Sequence, residues 1–186
     1  MGMNFCVFGA FSAFWATLAF HLETPAFALG PTAVGLFGLW GAPGALIAPA
    51  AGRFSDRFGS APVNAAALCA TAMSFAIAGT WGAASIIGLV VAVNLLDFGL
   101  QSGQVANQTR IFGIDDAIRG RLNTVYMVAT FSGGAIGALA GGLAWTFGGW
   151  SGVCLLGGGM AIAAAIMLTT DLLATPRIAP QRSDIE

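Results

Sequence analysis

Apolar residues run through this chain in long stretches, and the polar ones collect between the stretches or on single helical faces within them. Six stretches read as spans, at about 3–22, 33–51, 63–81, 84–109, 123–145 and 152–170. Crossing a hydrocarbon core of about 30 Å takes around 20 helical residues, which each stretch approaches or exceeds. The pattern predicts an all-α membrane protein, a single six-helix transmembrane bundle over 1–170. A polar tail at 171–186, with Pro176 and Pro180, is expected to be disordered and cytoplasmic.

The fourth span carries the clearest polar pattern. Asn94, Asp97, Gln101, Gln104 and Gln108 follow at steps of 3, 4, 3 and 4, which puts all five on one helical face. A charged side chain near the bilayer centre costs at least about 2.5 kcal/mol on insertion scales. The stripe is therefore expected to line a water-filled cavity, with Asp97 a candidate proton-coupling residue. The competing reading is polar glue that hydrogen-bonds neighbouring helices.

Other spans contribute less specific features. In the first, Phe11 and Trp15, with Phe8 on the same face, are candidate cavity lining or an ordinary packing face. His21 and Glu23 close that span and mark the membrane interface, with a proton relay as the sharper alternative. Pro43 and Pro49 should break or kink the second span. Gly133, Gly137 and Gly141, spaced by four and widened by Gly134 and Gly142, form a small-residue face for close helix packing.

Composition agrees with a membrane protein. Of 186 residues 57% are hydrophobic and only 8% charged, against about 25% charged in a soluble domain. Seven Arg, no Lys and eight acids give a net charge of −1, so no basic surface exists for nucleic acid. Cys6, Cys69 and Cys154 stand alone inside apolar runs and are expected to pack as small buried hydrophobes. No metal spacing occurs, and no cofactor is expected. Met1-Gly2-Met3-Asn4 lacks the basic start of a cleavable signal. Catalysis has little support: Ser132-Gly133-Gly134 suggests an intramembrane serine protease, but the only His is His21 and no third group orients it.

Charge also orients the bundle. Arg53 and Arg57 follow span two, Arg110, Arg119 and Arg121 follow span four, and Arg177 and Arg182 follow span six, while the other connections carry no Arg. The positive-inside rule then places these segments and both termini in the cytoplasm. A weak repeat points to 3+3 inverted symmetry: Gly44-Ala45-Leu46 and Gly137-Ala138-Leu139 lie 93 positions apart. Spans one and four hold most of the polar and aromatic residues, two and five are glycine-rich, and three and six are plainly apolar.

The loop Gly52-Arg53-Phe54-Ser55-Asp56-Arg57-Phe58-Gly59 resembles the second G-x-x-x-D-R-x-G signature of the major facilitator superfamily, between its helices eight and nine. Asp97 through Asn107-Gln108-Thr109-Arg110, then Arg119-Gly120-Arg121-Leu122-Asn123-Thr124-Val125-Tyr126, is similar to helices ten and eleven of bacterial drug:proton antiporter-type members. Phe8-Gly9-Ala10-Phe11-Ser12-Ala13-Phe14-Trp15 resembles their helix seven. The resemblance covers about residues 3–170 and implies the carboxy-terminal half of a twelve-helix transporter with alternating access. It also implies a conformational latch at Gly52, Arg53, Asp56, Arg57 and Gly59; a solvated turn is the plainer reading of that loop.

The expectation is thus half of a secondary active transporter in a bacterial inner membrane, not an enzyme. It would move a small organic solute outward, coupled to protons. Its partners would be the lipid bilayer, the solute, and either an amino-terminal six-helix half or a second copy, because the polar stripe must not face lipid. The rival is a non-transporting six-helix assembly or regulatory partner whose stripe is a docking face.

Overall fold

The computed structural model describes residues 2–30, 32–112 and 116–174, and contains no strand among them. Six α-helices follow in order: α1 (Gly2–Leu22), α2 (Thr32–Ala45), α3 (Ala48–Phe58), α4 (Ser60–Gly79), α5 (Ile86–Phe112) and α6 (Asp116–Ala174), with a 3-10 turn at Trp81–Ala83 between α4 and α5. Helices are what a lipid environment demands, since they satisfy their own backbone polar groups. Five stretches are long and apolar enough to cross a membrane: Gly2–Leu22, Thr32–Phe58, Ser60–Gly79, Ile86–Arg110 and Ile118–Ala174.

The last stretch doubles back. Gly149 sits at φ 55°, ψ −148° inside α6, a left-handed backbone that suits a residue without Cβ. Before it, Gly133, Gly137 and Gly141 meet Phe5, Gly9 and Ala13 of α1, so that arm runs parallel to α1. After it, Trp150 meets Phe14, with ring centroids 5.3 Å apart, while Met160 lies near Gly9 and Met167 near Gly2. The second arm therefore runs antiparallel to α1. The reversal falls between the fifth and sixth apolar runs. Helix continues to Ala174, four residues into the expected tail, and 175–186, with Arg177 and Arg182, lie outside the described residues.

The second apolar run is interrupted. Pro43 lies within α2, the chain leaves helix at Leu46 and Ile47, and Pro49 opens α3. Proline fits the first turn of a helix but removes a hydrogen bond further in. The expected loop over Gly52–Gly59 is corrected here. Residues 52–58 belong to α3, and the turn is confined to Gly59, at φ 84°, whose N–H bonds the Ser55 carbonyl at 2.9 Å. Arg53, Ser55, Asp56 and Arg57 include no helix breaker, so only the residue able to take positive φ ends the helix.

The core lies between α1, α4, α5 and the second arm of α6. Phe14, fully buried, is edge-on to Phe75 of α4 and to Trp150, and Leu18, Leu89, Val93, Leu96 and Val153 complete this cluster. A second cluster joins Val7, Leu68, Leu100, Ala164 and Leu168. Leu39, Leu155, Phe147 and Leu173 point out of the bundle, which costs nothing where the surrounding medium is lipid tail. Cys69 is exposed on α4 rather than buried, because nothing covers that face; Cys154 is buried and Cys6 intermediate.

Candidate functional site

Approach of α2 to α5 sets the geometry of the polar stripe. A Cβ at Gly44 would collide with the Asn94 backbone, and one at Gly41 with the Asp97 carboxyl, so two glycines let the helices touch. At that contact the Asn94 amide is fully used. Its Nδ2 donates to the Trp40 carbonyl at 2.8 Å and to the Val90 carbonyl at 2.9 Å, and its Oδ1 accepts from the Gly44 N–H at 3.1 Å. Trp40 and Gly44 are one turn apart, so the side chain bridges one step of the α2 ladder beside Pro43. Insertion of a side chain at such a step is a recognised cause of helix bending.

Asp97 follows one turn later, half-buried against Gly41. Among the described residues no cation pairs with it. Gln101, Gln104 and Gln108 are also half-buried, and among the described residues their side chains have no hydrogen-bond partner. The five residues thus divide. Asn94 ties two helices together, and the other four present unspent polar capacity along α5.

The α1 aromatics form a ladder. Phe8 stacks on Phe11 at 5.8 Å, Phe11 leans on Trp15 at 6.1 Å, and Phe131 of α6 meets Phe8 edge-on at 5.7 Å. Phe11 and Trp15 are half-buried, and the Trp15 Nε1 is a buried donor with no partner among the described residues. Along the same seam Gly133, Gly137 and Gly141 bring α6 onto α1. A Cβ at Gly141 would lie 2.8 Å from the Ala13 Cα, and one at Gly137 would fall on the Gly9 backbone.

Arg53, Asp56 and Arg57 are exposed on α3, with Gly52 half-buried ahead of them. Arg57 lies over the Phe58 ring at 5.1 Å. Among the described residues these three charges form no ion pair.

His21, in the last turn of α1, faces into the bundle. It is 4% exposed and stacked on Trp150 at 4.0 Å, with interplanar angle 1°. Its Nε2 lies 3.3 Å from the Gly82 carbonyl. A carbonyl only accepts, so Nε2 carries the hydrogen. Phe27 and Trp145 meet the ring edge-on. This packing joins α1 to the 3-10 turn and to α6, while Glu23 remains exposed.

One buried polar cluster went unnoticed in the sequence. Asn4 Nδ2 donates to Thr130 Oγ1 at 2.6 Å, and Asn64 Nδ2 donates to Asn107 Oδ1 at 3.4 Å. The Tyr126 hydroxyl, beside Asn4 and Asn107, has no partner of good geometry. A cavity of about 10 Å³ lies among Asn4, Asn64 and Asn107, close to the minimum for one water. The cluster ties α1, α4, α5 and α6 at one end of the bundle. Its signal in sequence is a polar residue near the same end of each of these spans. No metal-binding group of His, Cys, Asp or Glu occurs among the described residues.

Comparison with known proteins is consistent with this architecture. The Major Facilitator Superfamily profile matches residues 1–185. The "Uncharacterized transporter YgaY" of Escherichia coli O157:H7 is 39% identical over 155 residues, 83% of this chain and 39% of its own. The "Probable transporter SCO4007" of Streptomyces coelicolor is 38% identical over 154 residues, 82% of this chain and 35% of its own. This chain therefore aligns with well under half the length of each relative. No solved structure matches it. A family profile that covers nearly the whole sequence, on an all-helical fold of long apolar helices, makes the chain a member of the major facilitator superfamily of membrane transporters.

Proposed function

We propose that this chain is the carboxy-terminal half of a secondary active transporter of the drug:proton antiporter type. It moves a small organic solute outward by alternating access, with both termini on the cytoplasmic side of a bacterial inner membrane. The observation that carries the reading is Asp97, midway along α5, which among the described residues has no cation beside it and is followed by three glutamines with no hydrogen-bond partners. Polar capacity of that kind is costly against lipid and useful against a wet cavity. The two relatives, both named as transporters, extend well beyond the region they share with this chain. The stripe accordingly faces a second six-helix unit, either an amino-terminal half or another copy.

A 3+3 inverted repeat is part of the proposal. Gly44 of the second run packs on α5, and Gly137 of the fifth packs on α1. Each glycine triplet thus joins the second helix of one unit to the first helix of the other, as symmetry between the units requires. The Gly52–Gly59 segment serves as the conformational latch, and Phe11 and Trp15 line the cavity with Gln101, Gln104 and Gln108.

A non-transporting assembly has one observation in its favour, the use of Asn94 as polar glue. The two readings separate by experiment. Asp97→Asn in the complete transporter should alter how solute flux responds to a pH gradient. If there is no flux and the substitution instead abolishes co-purification of a membrane partner, the docking reading replaces this one.

A further inference from the structure

The two helices built from the second apolar run are held differently. α2 is fixed to α5. At Gly44 a Cβ would fall on the Asn94 backbone, while the Asn94 amide accepts the Gly44 N–H at 3.1 Å and donates to the Trp40 carbonyl at 2.8 Å. Sliding of α2 on α5 breaks both bonds. α3 is held more loosely. A Cβ at Gly52 would sit 3.5 Å from Val105, an ordinary contact, and among the described residues no side-chain hydrogen bond or ion pair joins α3 to another helix. Its Phe54 and Phe58 are more than half exposed, across an open groove from Pro62 and Val63 of α4 and Phe98 of α5.

We propose that residues 46–47 form a hinge on which α3 swings toward α4 and α5, closing that groove, and that Asn94 is the positioning residue that pins the fixed arm, α2. The inference rests on the alternating access proposed above and names a moving part within it. Helix lapses at Leu46 and Ile47. The Leu46 N–H bonds the Ala42 carbonyl at 3.0 Å and the Ala51 N–H bonds the Ile47 carbonyl at 3.0 Å, so one ladder ends there and another begins. Pro49, which has no N–H, cannot carry the ladder across, and Pro43 thins it just before the break. Residues at the ends of elements are where hinges absorb changes in φ and ψ. Closing the groove exchanges lipid contacts of Phe54 and Phe58 for contacts with α4 and α5, with no hydrophobic gain either way. The two positions of α3 therefore stay close in energy, as an alternating element requires. Arg53, Asp56 and Arg57 ride on the moving arm, while Asp97 rests against Gly41 on the fixed one.

The test reads the two arms separately. The complete transporter, carrying Cys6→Ala, Cys69→Ala and Cys154→Ala, is placed in nanodiscs and spin-labelled in pairs at exposed positions. Phe58→Cys with Thr170→Cys reports on α3, Leu39→Cys with Leu155→Cys on α2, and Met73→Cys with Leu139→Cys serves as reference. Double electron–electron resonance should give two distances for the α3 pair and one narrow distance for each of the others. Pro43→Ala with Pro49→Ala, which restores a continuous ladder, should merge the α3 distances into one. Asn94→Leu should broaden the α2 pair and leave the reference pair as it was, which a general loss of stability would not do. A single α3 distance in the parent protein overturns the hinge. An Asn94→Leu variant whose α2 pair stays narrow, or whose three pairs broaden alike, overturns the pin. Every label lies in this chain, so the readout does not depend on which solute is carried. A fixed α3 with gradient-driven flux intact overturns the hinge alone, whereas a mobile α3 without flux supports the hinge and overturns the transport reading.

Discussion

Asn94 and Gly44 meet at 3.1 Å, the side-chain Oδ1 of one accepting the backbone N–H of the other, where α2 passes closest to α5. The same amide holds the Trp40 carbonyl, so a single side chain occupies both ends of one helical step. Beside Pro43, this fixes the point at which α2 weakens before it ends at Ala45.

Replacing Asn94 with Leu should therefore destabilise the bundle by about 1–2 kcal/mol, the usual scale for hydrogen bonds between membrane helices. The loss should concentrate in α2. Thermal unfolding in detergent gives the magnitude, and hydrogen exchange at residues 40–45 gives the location. Uniform exchange across all helices would contradict this assignment.

The α1–α6 seam makes a sharper steric prediction. Gly137→Leu pushes a side chain into the Gly9 backbone and should cost several kcal/mol or prevent folding, because a tight interface accommodates added volume poorly. Gly142→Ala, with nothing within 4 Å of its new Cβ, should keep the melting temperature or raise it slightly, since Ala favours helix over Gly. Melting curves of the two variants side by side check the pair.

In the buried polar cluster, Tyr126→Phe removes a hydroxyl that has no partner of good geometry. Stability should hold or rise slightly. Asn4→Leu leaves Thr130 without the bond it accepts and should lose about 1 kcal/mol. A large loss in Tyr126→Phe would mean that the hydroxyl is satisfied, for instance through a water in the adjoining cavity.

At the opposite end, the His21 ring works through its face, against Trp150. His21→Phe should keep most of the stability, while His21→Ala should lose roughly 2–4 kcal/mol as a buried aromatic is truncated. Chemical unfolding of both variants checks the packing role, and solute flux of His21→Phe in the complete transporter checks a proton relay, which Phe could not replace.

What the sequence discloses follows the range of its physics. The α5 stripe is legible because a spacing of three and four is a local property of one helix, and the Gly133–Gly137–Gly141 face is legible for the same reason. Convergence is not local. Asn4, Asn64, Asn107 and Tyr126 come from four spans, and only the packed bundle brings them together. The Gly52–Gly59 segment reads as a loop in sequence because charge and glycine accompany loops, but arginine is a good helix former and Gly59 alone makes the turn. The place of His21 at the end of an apolar run is legible in sequence, but nothing there marks Trp150 as its stacking partner.

The most direct test of the proposal is solute flux in proteoliposomes that contain the complete transporter, with a pH gradient imposed and a panel of cationic and neutral organic solutes supplied. Asp97→Asn should abolish gradient-driven accumulation while exchange of solute for solute, which needs no net proton movement, continues. If the variant responds to the gradient as wild type does, Asp97 carries no coupling proton and the central claim about the α5 stripe is wrong.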